Sequence, residues 1–172
     1  MPTIYCSQKL SKLLNLKKEK TDNSSLKSDV LDWNASLFYL SKRKCLLFMN
    51  KSSLYSVVIL DILKKDLDDI STFFIENLIR QLKTDNLLTE KYESFIAKSY
   101  KIITLKTTDN DKRIIGSIND CVYRIGIYEE IIGGVQNLSA DALGFRLNFT
   151  PLGALKYKFP VDIMKKSIKN HT

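Results

Sequence analysis

A chain of 172 residues with 44% hydrophobic and 27% charged residues has the make-up of one globular domain with a sizeable core. No run of eighteen apolar residues occurs, which speaks against a transmembrane helix, and residues 1–9 lack the basic-then-apolar pattern of a secretory leader, so a cytosolic protein is expected. The net charge of +8 is unevenly spread: residues 1–51 carry ten Lys or Arg against four Asp or Glu, residues 52–141 eleven against fourteen, and residues 142–172 six against one, so two basic ends flank a mildly acidic middle that would draw polyanions if the ends met.

In chain order, Thr3-Ile4-Tyr5-Cys6 predicts a short strand, and Ser7 caps a helix running through Leu16 with Leu10, Leu13 and Leu14 on one face. Residues 17–28 are charged and rich in Ser and Asn, which predicts an exposed loop with the composition of disordered segments. Residues 33–60 then hold three apolar runs of strand length separated by two polar breaks, the pattern of an antiparallel meander. In the first run Trp33, Ala35, Leu37 and Tyr39 share one face and Asn34, Ser36, Phe38 and Leu40 the other, which predicts one partly wet face. The second, residues 45–49, is apolar throughout and predicts a strand covered on both sides. The third places Tyr55, Val57 and Ile59 opposite Val58 and Leu60.

After Leu60 the period changes to that of helices. Ile70, Phe73, Phe74, Leu78 and Leu82 form a stripe, with Asp66, Asp68 and Asp69 at the start and Arg80 and Lys83 near the end, each where the helix dipole favours it. That placement accounts for the acidic cluster without a metal. Thr89 caps a second helix to about Ser99, and the pair reads as a helical hairpin on the sheet. Residues 101–107 predict a fourth strand, and Asp111 a cap for a helix with Ile114, Ile118, Cys121 and Ile125 inward, stopped at Gly133-Gly134. Ser139 caps a short helix to about Asn148. Pro160 opens a last one with Met164 and Ile168 inward. The predicted fold class is α+β: a single domain over residues 1–172, with an antiparallel meander sheet of three to five strands and helices packed mainly on one face.

The residues speak against several chemistries. The only histidine, His171, lies at the mobile end of the chain, which disfavours histidine catalysis and histidine-ligated metal. Cys6, Cys45 and Cys121 are odd in number and widely spaced, so they read as small buried hydrophobes instead of disulfides or a metal site. No cofactor, no metal site and no catalytic residue is predicted. Asp61, Glu76 and Asp120 lie beside apolar stretches where a carboxylate can be buried with a raised pKa.

The run from Trp33 through the Lys42-Arg43-Lys44 turn to the apolar strand ending at Asn50 resembles the hallmark of an uncharacterised bacterial family, a domain of unknown function. The ending Leu147-Asn-Phe-Thr-Pro-Leu-Gly-Ala-Leu-Lys-Tyr-Lys-Phe-Pro160 is similar to that family's closing segment. The resemblance implies a fold unit and carries over no activity or catalytic residue.

Three functional readings follow. The first is a non-enzymatic module that binds nucleic acid or an acidic protein through Lys42, Arg43, Lys44, Lys156, Lys158, Lys165 and Lys166. The second is a protein-interaction domain using the aromatic residues near Trp33 or Tyr157, as a monomer or an oligomer. The third is a small nuclease or transferase with a carboxylate-and-arginine site, which demands a cleft where such residues converge.

Overall fold

The computed structural model describes residues 1–17 and 30–171, so nearly all of the loop predicted at 17–28 lies outside the described residues. The elements are β1 (Thr3–Cys6), α1 (Gln8–Leu13), β2 (Asp32–Leu40), β3 (Arg43–Asn50), β4 (Ser56–Ile59), α2 (Ile70–Thr84), α3 (Glu90–Ser99), β5 (Thr104–Thr107), α4 (Lys112–Ile132), α5 (Ala140–Asn148) and α6 (Pro160–His171). The predicted caps hold: Ser7, Thr89, Asp111 and Ser139 each accept a backbone N–H in the first turn of their helix, and Asp69, one of the carboxylates at the start of α2, does the same. Gly133 ends α4 at φ 81°, a left-handed conformation that glycine adopts without strain. α1 is shorter than predicted because Asn15 turns left-handed and Leu16 N–H bonds back to Ser11 C=O, closing the helix before Leu16.

Two features of the predicted class are corrected. The sheet has the order β4-β3-β2-β1-β5 and is mixed: β2, β3 and β4 form the antiparallel meander, but β1 pairs in parallel with both β2 and β5. Strand alternation fixes faces and not partners, and a parallel pair cannot be closed by a tight turn, so β1 meets partners far from it in the chain. Helices also cover both faces. On the first, Leu10 of α1, Phe74 and Leu78 of α2, Tyr92 and Ile96 of α3, and Met164 and Ile168 of α6 meet Ile4, Trp33, Phe48 and Val57. On the second, Ile114, Ile118, Cys121 and Ile125 of α4 and Leu143 and Leu147 of α5 meet Phe38, Cys45, Leu47, Met49 and Val58. The uninterrupted apolar run of β3 already required two covers. β2 differs from its prediction for the same reason: Asn34 and Phe38, expected on a partly wet face, are buried beneath α4.

Polar residues fasten the meander at its far end. Asn50, fully buried, donates through Nδ2 to the carbonyls of Val30 (2.7 Å) and Asp32 (3.2 Å), while its Oδ1 accepts from the N–H and hydroxyl groups of Ser52 and Ser53. A second network lies where α2 and α5 cross beside β4. Asp85 accepts from Tyr55 Oη, Gln81 Nε2 (3.0 Å) and Asn148 Nδ2 (2.9 Å), and Asn148 closes both main-chain groups of Ser56. Burial pushes the Asp85 carboxyl above the usual range against the pull of those three donors. Gly144 lets the helices approach, since a Cβ there would collide with the Gln81 side-chain carbonyl. The three carboxylates singled out from sequence are instead exposed. All three cysteines are buried; Cys6 and Cys121 are pushed up to about 12 by desolvation and Cys45 is raised for the same reason, so the thiols are protonated and inert near neutral pH.

Candidate cleft beside the short parallel strands

β1 and β5 each span four residues, whereas β2 spans nine. β1 stops beside Ala35 in β2 and β5 ends level with β1, and the chain leaves them at Ser7 and Thr108. The space beyond, under the outward side of α4, is a cleft of about 720 Å³. It lies at the carboxyl ends of parallel strands, where open α/β sheets generally take ligands. Its volume suits a small molecule or a short peptide.

The floor is polar. Tyr5, Asn34 and Ser36 come from the strands and Ser7 from the turn after β1. Ile115, Ile118, Asn119 and Val122 of α4 form one wall, and Thr108 and Asn110 form the rim. Among the described residues Lys9 is the only charged one on the lining, and no carboxylate, histidine or cysteine belongs to it. Asn34 is 4% exposed, and its Oδ1 has no hydrogen-bond partner among the described residues. An unpaired buried carbonyl of this kind costs on the order of 1–3 kcal/mol.

The rim is tied down beside the floor. Asp109, between Thr108 and Asn110, pairs with Lys51, whose ammonium also sits 4.5 Å from the centroid of the Tyr5 ring. Arg113 donates from its guanidinium to the Lys51 carbonyl. Both members of the Lys51–Asp109 pair are mostly buried, so the rim loop is fixed to the β3–β4 turn by a partly desolvated contact.

The seven basic residues named from sequence are all exposed, in two groups. Lys42, Arg43 and Lys44 sit at the β2–β3 turn, where Arg43 pairs with Asp61 at 3.0 Å and neighbouring Ser41 bonds to Glu129 of α4. β3 leads away from this turn over roughly 23 Å at the usual rise per residue. At its far end Ser53 meets Met164 of α6 (3.6 Å), which brings Lys165 and Lys166 there. Lys156 and Lys158 lie in the turn after α5, where Leu152 bonds to Lys158 and borders Arg113 at the start of α4, the residue bound to Lys51. The C-terminal lysines therefore gather at one end of β3 and the hairpin cations at the other.

The remaining candidates separate. Trp33 is fully buried, with Nε1 donating to Tyr100 Oη at 2.9 Å, and is not a surface aromatic; Tyr157 is 78% exposed. The arginines go to different partners: Arg80 to Asp141 (2.7 Å), Arg124 to Asp120 (2.9 Å), Arg113 to a carbonyl and Arg146 to the face of Tyr128. Glu76 and Arg80 do share the wall of a smaller cavity of about 400 Å³ with Asp66, but Arg80 is held by Asp141 and Asp66 accepts the Leu63 N–H. Sequence reasoning missed the cleft. Its one local signal was Asn34 and Ser36 set among apolar neighbours on a strand, which read as a wet face.

Among the described residues no helix is long and apolar enough to cross a membrane. No curated protein and no solved structure matches the chain. The sequence model of one family matches residues 3–163, which include both the Trp33–Asn50 run and the whole closing segment. The chain belongs to the family described as Domain of unknown function (DUF6933).

Proposed function

We propose that the chain is a binding module whose working site is the cleft between the sheet and α4, and that it holds an uncharged or singly negative ligand bearing hydrogen-bond donors. The observation that carries this reading is the cleft of about 720 Å³ at the carboxyl ends of β1 and β5, whose lining carries the amide and hydroxyl side chains of Asn34, Ser36, Thr108 and Asn119. The lining favours holding over bond-breaking: among the described residues it offers amides, hydroxyls and one lysine, with no carboxylate, imidazole or thiol to move a proton. The test is a nitrogen-15 NMR screen of the whole protein with millimolar nucleosides, sugars and capped peptides. Shifts should concentrate on Ser36, Thr108 and Asn119, and Val122→Trp, which fills the mouth, should abolish them. Shifts that cluster elsewhere, or survive Val122→Trp, overturn the reading.

A second reading keeps the polyanion surface, confined to the C-terminal lysines. It is favoured by one feature: Tyr157, the most exposed large aromatic among the described residues, stands between Lys156 and Lys158, which make no ion pair there. A ring flanked by cations suits a base stacked beside its phosphates. Fluorescence anisotropy with a single-stranded oligonucleotide should show affinity that falls steeply with salt and drops on Tyr157→Ala. Absent or salt-independent binding removes this reading.

A further inference from the structure

The cleft has an open strand edge, and this rests on the reading of the cleft as the working site. β2 pairs with β3 along its whole length to Leu40, but its pairing with β1 stops at Ala35. The last contacts on that side are Ser7 N–H to the Ala35 carbonyl (2.8 Å) and Leu37 N–H to Ser7 Oγ (3.5 Å). Main-chain groups alternate along a strand, so those of Ala35, Leu37 and Tyr39 point towards the β1 side. The Leu37 carbonyl and both main-chain groups of Tyr39 thus face the notch left where β1 ends. The lining of the cleft agrees. It includes Ala35 and Leu37, whose side chains are buried in the core of the opposite face, so it is their backbone that borders the space.

A notch with main-chain donors and acceptors on one side and an apolar wall on the other matches an extended peptide. Every second side chain of an added strand would fall on the cleft face, against Phe38, Ile118 and Val122. Charge sets the direction. Lys9, beside Ser7 at the Ala35 end of the notch, makes no ion pair among the described residues, and no acid lines the cleft. A carboxylate there orients the peptide towards the start of β2. We infer that the notch binds roughly the last three or four residues of a peptide as a strand antiparallel to β2, with apolar side chains at alternate positions and the terminal carboxylate at Lys9.

The probe is a pool of acetylated Ser-Xaa-Ser-Xaa free acids, with Val, Ile, Leu, Phe or Tyr at Xaa, titrated into the nitrogen-15-labelled full chain. The Tyr39 amide should shift and its hydrogen exchange should slow. Affinity should fall about tenfold for the C-terminal amides and about tenfold for Lys9→Gln, an exposed position where loss of fold is not an issue. Backbone N-methylation of the pool should abolish the Tyr39 response. Equal binding by the N-methylated pool or by the amides overturns the peptide mode. If adenosine moves Ser36 and Asn119 while the pool moves nothing, the peptide inference falls and the cleft reading stands. If no probe moves a cleft residue, both fall.

Discussion

Asn50→Ala lowers the free energy of unfolding by about 3–5 kcal/mol, with no compensating gain elsewhere. The side chain is fully buried and reaches three pieces of chain: the approach to β2 at Val30, its first residue Asp32, and the Ser52–Ser53 turn. Alanine removes a donor from the Val30 and Asp32 carbonyls, of which only that of Asp32 keeps another, the Lys51 N–H, and it leaves the Ser52 and Ser53 N–H groups without their acceptor. The isosteric Asn50→Asp is the sharper variant. It keeps the volume and the acceptor but loses both donor bonds to Val30 and Asp32, and it sets a negative charge against two carbonyls. Urea unfolding followed by circular dichroism reads both losses; an Asn50→Asp protein as stable as the wild type would show that the amide's donors are dispensable.

Phe74→Ala costs about 3–5 kcal/mol, among the largest effects expected of any single truncation in the chain. Its ring is fully buried at the centre of the first core, with centroids 5.0 Å from Trp33, 4.6 Å from Phe48 and 6.2 Å from Tyr100. Aromatic contacts of this kind add roughly 0.5–1.5 kcal/mol each beyond the area they bury. The neighbours are strands on one side and α3 on the other, so the site cannot collapse to fill the void. Trp33 lies against it and gives the readout: equilibrium unfolding by tryptophan fluorescence should shift to lower denaturant, with a changed native spectrum. Phe145→Ala, at a ring 40% exposed, should cost less than about 1 kcal/mol by the same assay. Comparable losses at the two positions would refute the account of the core.

Local chemistry made most of the elements legible. The caps at Ser7, Thr89, Asp111 and Ser139, the glycine stop at 133 and the meander all depend on residues within a few positions of one another, and the structure has them where the pattern put them. What the pattern could not carry was partnership at long range. Thr3–Cys6 reads as a strand by alternation, yet nothing in those four residues says that Thr104–Thr107 will lie beside it in parallel. Asp85 reads as the end of a helix. It is a buried network centre only because α5 crosses there and delivers Asn148. The cleft has the same origin, since it exists because β1 and β5 are shorter than β2, and a difference in strand length between distant segments leaves no local mark. The charge count, by contrast, was plain in the sequence, while the position of its carriers at two ends of β3 was not.

The place of β1 has a consequence for how the chain emerges during synthesis. β1, made before the other four strands of the sheet, is an interior strand of it, flanked by β2 on one side and β5 on the other. It gains its first neighbour only when residues 32–35 appear, and its second only when residues 104–107 do. A nascent chain stalled between those points carries β1 with one bare edge, held by the meander but open to pairing with whatever strand comes near. Completion of the sheet therefore waits until residues 104–107 have left the ribosome.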